Sequence, residues 1–123
     1  MSNSIDIVRS MFAAFKAKDY ATMKGFLASN FSATGPLGET TNTDQFIEGL
    51  KRISSMVTDV QVQHIWVDGN DVAGFVEVHT NRTEKPISMV KWFHVENGKV
   101  VSAKVVFDPR PLLMTASIFN PLH

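Results

Sequence analysis

Residues 87–107 read ISMVKWFHVENGKVVSAKVVF, and this stretch decides the fold. Ile87 to Glu96 is rich in β-branched and aromatic residues, as is Lys99 to Phe107. The Asn97-Gly98 pair between them is a strong signal for a tight hairpin, since both residues tolerate positive φ. Working outward, Asp68-Gly69-Asn70-Asp71 marks another tight turn, between a strand candidate over Val57–Val67 and one over Val72–Thr80. Asn81–Lys85 is a polar loop. The second half of the chain is therefore an antiparallel meander of four strands.

The first third has a different period. Ile5, Val8, Met11, Phe12 and Phe15 recur at three- and four-residue steps, which makes one apolar stripe on a helix. Ser4 is placed to cap that helix, Asp6 suits its first turn, and Lys16 and Lys18 suit its end. Asp19 caps a short second helix carrying Tyr20, Met23, Phe26 and Leu27. Asn30–Ala33 reads as a short strand, and Gly35, Pro36 and Gly38 break regular structure after it. Thr43 is the expected cap of a third helix, with Phe46, Ile47, Leu50 and Ile53 on its apolar face. Helices followed by a meander make an α+β domain with the helices on one face of a curved sheet.

Composition narrows the function. A length of 123 residues suits a single domain, 1–123, whose residues 109–123 form a C-terminal tail opened by Pro109-Arg110-Pro111. Twelve basic and twelve acidic side chains leave no net charge, which argues against nucleic acid and against an anionic membrane surface. No cysteine is present, so disulfides, thiolate metal sites and a cysteine nucleophile are excluded. The opening MSNSIDIVRS lacks a signal peptide's apolar run, and no stretch is long enough to span a membrane, so the expected location is cytoplasmic.

Two stretches carry a family resemblance: IVRSMFAAFKAKDYATMKGFLASNFSATGPLGE at 7–39 and WFHVENGKVVSAKVVFD at 92–108. With the meander between them, the chain resembles the nuclear transport factor 2-like superfamily, which includes ketosteroid isomerases, SnoaL-like polyketide cyclases and limonene epoxide hydrolases. The resemblance implies a cone-shaped curved antiparallel sheet with the N-terminal helices packed on the concave face, a cystatin-like α+β barrel around a pocket. The ketosteroid isomerase tyrosine falls at Met11, its general base at Gly35, and its second oxyanion donor at Lys91. The epoxide hydrolase aspartate falls at Val105. Neither set of catalytic groups is present, and an enolising isomerase needs both a base and oxyanion donors.

With Phe93 and Val95 pointing into the cone by that resemblance, strand alternation adds Ile87, Met89 and Lys91 on the same face. It also adds Val76 and Val78 on the preceding strand and Ala103, Val105 and Phe107 on the last. Met11, Phe15, Phe31, Gly35 and Phe46 complete the expected ligand-binding set. These residues suit either a solid core or a pocket for a small apolar or weakly acidic organic molecule. Two groups stand as candidates for chemistry, Lys91 and Asp108. A buried lysine has to find a carboxylate such as Asp6 or Glu39, a backbone carbonyl, or a ligand's acidic group. It can also serve as a base or an amine nucleophile. Two readings of function follow. One is a SnoaL-like pocket protein with isomerase, cyclase or lyase chemistry. The other is a non-catalytic ligand-binding or dimerisation module. His64, His79, His94 and His123 lack the short spacing of a metal site, so no metal is expected. No dinucleotide or phosphate-loop motif is present, so no cofactor is expected. Phe75, Val90, Trp92 and Val106 share the outer face, which points to a homodimer through it.

Overall fold

The protein is described by a computed structural model covering residues 3–36 and 38–112. The rest of the expected tail lies outside the described residues. Three helices, α1 (Ser4–Ala17), α2 (Tyr20–Gly25) and α3 (Thr43–Ser54), accompany six strands. The strands are β1 (Leu27–Gly35), β2 (Gly38–Thr40), β3 (Val57–Asp68), β4 (Asp71–Thr80), β5 (Ile87–Glu96) and β6 (Lys99–Phe107).

The strands form one sheet in the order β2-β1-β6-β5-β4-β3. The meander β3 to β6 is antiparallel throughout. Asn97 and Gly98 both take positive φ, 52° and 76°, as a tight hairpin between right-twisted strands requires. The sheet is curved but open, so the expected closure into a barrel does not occur, and it is not wholly antiparallel. β1 runs parallel to β6 because it enters from the helices beside the last strand rather than through a hairpin. The pairing jumps between Leu27 and Ser32, and Pro36 turns the chain back into β2, which sequence reading treats only as a break.

Two helix caps lie one residue upstream of expectation. Asn3, not Ser4, caps α1, its side chain accepting from the Asp6 N–H at 3.0 Å. Ser4 instead donates to the Gly69 carbonyl at 2.7 Å and ties the helix to the β3–β4 turn. Asn42, not Thr43, caps α3 by accepting from the Gln45 N–H at 3.0 Å. Asp19 caps α2 as expected.

Of the stripe on α1, Val8, Met11, Phe12 and Phe15 are buried against the sheet, while Ile5 is only partly covered and Ile7 is buried instead. Phe12 meets Phe93 edge-on at 5.8 Å between centroids. Gly74 makes that packing possible: a Cβ on it would lie 2.8 Å from the Phe12 ring. The stripe on α3 behaves differently. Ile47 is buried, but Phe46, Leu50 and Ile53 are only partly covered. α3 thus stands off from one end of the sheet while α1 seals the other.

Candidate functional site

The space under α3 is a cavity of about 440 Å³. That is within the usual range for sites of small organic ligands, roughly 300–1,000 Å³. α1 contributes Phe15 and α3 contributes Phe46, Leu50 and Ile53. The sheet contributes Ala33, Gly35, Val78, Met89, Lys91, Val105 and Phe107, and Leu112 follows β6. Polar side chains, Thr34, Glu39, Thr40, Gln45 and Arg52, also line it. A second groove of about 320 Å³, where β1 departs from β6, is lined largely by polar residues such as Ser29, Asn30 and Asn97. Its titratable groups, Glu96 and Lys99, are exposed, whereas a desolvated one, Lys91, lies under α3.

The expected site residues divide in two. Phe15, Gly35, Phe46, Val78, Met89, Lys91, Val105 and Phe107 come together around the cavity. Met11, Phe31, Val76, Phe93 and Ala103 do not line it; they are packed in the closed part of the core, Val76 with no exposure and Phe31 with 1%. At the end of the sheet where Val72, Phe93 and Ala103 lie in register, Met11 and Phe12 of α1 fill the space, while Phe31 is covered by the Phe46 ring of α3 at 4.8 Å between centroids. Sequence reading places only Phe46 of the α3 face at the pocket and misses Leu50 and Ile53, together with Gln45 and Arg52. The even apolar spacing of α3 signals a buried helix and gives no sign that the helix stands clear.

Lys91 is the unusual group. Its cross-strand neighbours on the inner face are Gly74 and Val105, neither of them polar. Its Nζ lies 4.8 Å from the centre of the Phe15 ring and 5.9 Å from that of Phe12. Among the described residues no carboxylate is within ion-pair distance and no acceptor takes its hydrogen bond. Asp6 and Glu39, the partners expected from sequence, are not paired with it. Aromatic faces attract an ammonium but supply less than a carboxylate does. Lys91 keeps some accessible surface because it borders the cavity. It is nonetheless deeply desolvated, and desolvation lowers its pKa from 10.5 to about 8.

Asp108 is placed elsewhere. It lies outside the cavity wall and is gripped by Arg110, whose Nε and Nη2 donate to its two oxygens at 2.7–3.0 Å. Those hydrogen bonds hold its carboxyl below the usual range, so it stays ionised and is poorly suited to act as an acid. On the outer face, Asp71 Oδ1 accepts from Trp92 Nε1 and contacts His94 Nδ1, both at 2.9 Å, and His94 Nε2 lies 3.2 Å from Glu96. The Asp71 contact raises the His94 pKa. Among the described residues no three His, Asp or Glu side chains converge to hold a metal ion.

An open curved sheet with α1 sealing one end and α3 roofing a cavity at the other is the architecture of the nuclear transport factor 2-like superfamily. Within it, the chain belongs to the SnoaL-like domain family, whose model matches residues 8–103. No functionally curated protein matches the sequence. Among solved structures, it is similar to an NTF2-like protein of unknown function from Cytophaga hutchinsonii, with 26% identity, a TM-score of 0.80, and coverage of 92% of this chain and 96% of that one. It is similar to an LEH-like epoxide hydrolase of M. tuberculosis at 16% identity and a TM-score of 0.74, covering 96% of each chain. A protein of ketosteroid isomerase-like fold from Catenulispora acidiphila, solved with trimethylamine, matches at 15% identity and a TM-score of 0.72, covering 90% of this chain and 92% of that one. The last two likenesses show the fold alone. No described helix is long and apolar enough to cross a membrane.

Proposed function

We propose that the cavity under α3 binds a small organic molecule with an apolar body and one acidic group, and that the acid meets Lys91. The observation that carries this reading is an amine bordering an apolar cavity with no acceptor supplied by the described protein. A ligand carboxylate would complete an ion pair whose other half is already desolvated. Isomerisation of the ketosteroid type is not supported, since Met11 lies buried in the core and Gly35 offers no base. Lyase, isomerase or cyclase chemistry in this cavity would run through Lys91, among the described residues the only titratable lining group that is not solvent-exposed.

Calorimetric titration with benzoate and octanoate, against benzyl alcohol and octanol, tests the reading. The acids are expected to bind at least about tenfold more tightly, the equivalent of one charge-assisted contact. Lys91→Met is expected to abolish that preference while keeping the fold. Equal affinity for acids and alcohols, or no binding of any of the four, would overturn it.

The outer face favours a second element of function, a homodimer. Trp92 and Val106 are 49% and 59% exposed there. Val90 pairs with both Phe75 and Val106, and Trp92 follows two residues along β5 with Ala73 and Lys104 opposite it. Trp66 joins the same face because the pairing of β3 with β4 shifts between Val62 and His64. Before the shift Val60 and Val62 oppose the inward Val78 and Val76, and after it Trp66 opposes the outward Ala73. A second copy covering this patch is the partner the exposure supports.

A further inference from the structure

We propose that Lys91 condenses reversibly with a small apolar aldehyde or ketone held in the cavity, forming an imine. The proposal rests on the reading of this cavity as a ligand site and names a second class of compound for it.

Three features of the site support this. First, among the described residues the amine is not committed to any partner: neither Glu39 nor Arg52, the other charged groups along the cavity, is within ion-pair or hydrogen-bond range of it. An ion-paired lysine would be held protonated and would be a poor nucleophile. Second, the Nζ borders the cavity beside Phe15, Met89, Val105 and Phe107, so a carbonyl compound lodged by its apolar body lies beside the amine. Third, desolvation supplies free amine. With a pKa of about 8, about a quarter of the side chain is neutral at about pH 7.5, against about a thousandth for an ordinary lysine.

The step balances without an external oxidant or reductant. The Nζ lone pair attacks the carbonyl carbon, a C–N bond forms, and the C=O π pair moves to oxygen, which takes a proton from nitrogen to give a carbinolamine. The C–O bond then breaks, the hydroxyl leaves as water with a proton, and a C=N bond remains. The apolar walls disfavour return of the released water. If the imine is protonated, it replaces one cation over the Phe15 ring with another that is less strongly hydrated, so the site loses no charge complementarity.

The test incubates the full chain with benzaldehyde and sodium cyanoborohydride, which reduces an imine to a stable benzylamine, and locates the product by intact mass and peptide mapping. Benzyl alcohol, which cannot condense, reports binding alone by calorimetry. We expect a single benzyl group on Lys91, formed at least about tenfold faster than on any surface lysine, with a rate that rises through about pH 8. Benzoate is expected to suppress it, and Lys91→Met and Lys91→Arg are expected to remove it. Benzyl alcohol binding without an adduct on Lys91 overturns the imine and leaves the ligand site standing. Labelling spread evenly over the surface lysines also overturns it. No binding of benzyl alcohol or of benzoate, and no adduct, overturn both readings.

Discussion

Replacing Lys91 with methionine should make the protein more stable at neutral pH. Methionine keeps most of the apolar stem against Phe15 and Met89 and removes the ammonium. The cost of that ammonium follows from its pKa, about 8 in the folded protein against an ordinary 10.5. At about 1.4 kcal/mol per unit, keeping the charged form in the fold costs about 3 kcal/mol. Between those two pKa values the unfolded chain binds more protons than the folded one, so wild-type stability rises with pH across that window. Below pH 8 the full cost is present, and above about 10.5 it has vanished. Lys91→Met should therefore gain up to about 3 kcal/mol at pH 7, or about 10 °C in Tm for a chain of this size, and the gain should shrink toward zero by about pH 10.5. Urea unfolding of both proteins at the two pH values, without ligand, measures it. Titrations elsewhere cancel in the difference. A variant less stable than wild type at pH 7, or a difference that does not change with pH, would refute the reasoning.

Three further outcomes are expected. Gly74→Ala places a methyl 2.8 Å from the Phe12 ring and should lower stability by about 1–3 kcal/mol, read by thermal unfolding, because the ring is pinned between β4 and Phe93. His94→Gln should cost more stability at about pH 6 than at about pH 9. The Asp71 contact raises the folded pKa of His94, so its contribution is complete below 6.5 and is lost as pH climbs through the raised value. Equal cost at both pH values would show that the contact with Asp71 is not ionic. Trp92→Glu should convert a dimer to a monomer in multi-angle light scattering at micromolar concentration, and a wild type that is already monomeric would overturn the assembly reading.

Most elements of the fold were legible in the residues themselves, though β2 and the parallel pairing of β1 with β6 were not. The period of α1, the turn chemistry of Asn97-Gly98 and of the β3–β4 loop, and the alternation along β4, β5 and β6 are local properties, and local geometry obeys them. The composition of the inner face and the oddity of Lys91 among apolar neighbours were legible for the same reason. The site's boundaries were not. Met11, Phe31, Val76, Phe93 and Ala103 carry the same apolar signature as the residues that line the cavity, and alternation says only which face a residue takes. Whether that face is filled or left open depends on how far a helix stands from it. α1 presses Phe12 into the space left by Gly74, while α3 stands clear with Phe46, Leu50 and Ile53 half-covered. The absence, among the described residues, of a carboxylate beside Lys91 is likewise a tertiary fact, because Asp6 and Glu39 are near or far only once the helices and the β1–β2 hairpin are docked. Sequence by itself determined the faces, since side-chain alternation is a property of one strand. Only the tertiary structure decided where the core stops and the cavity begins, since that depends on distances between elements far apart in the chain.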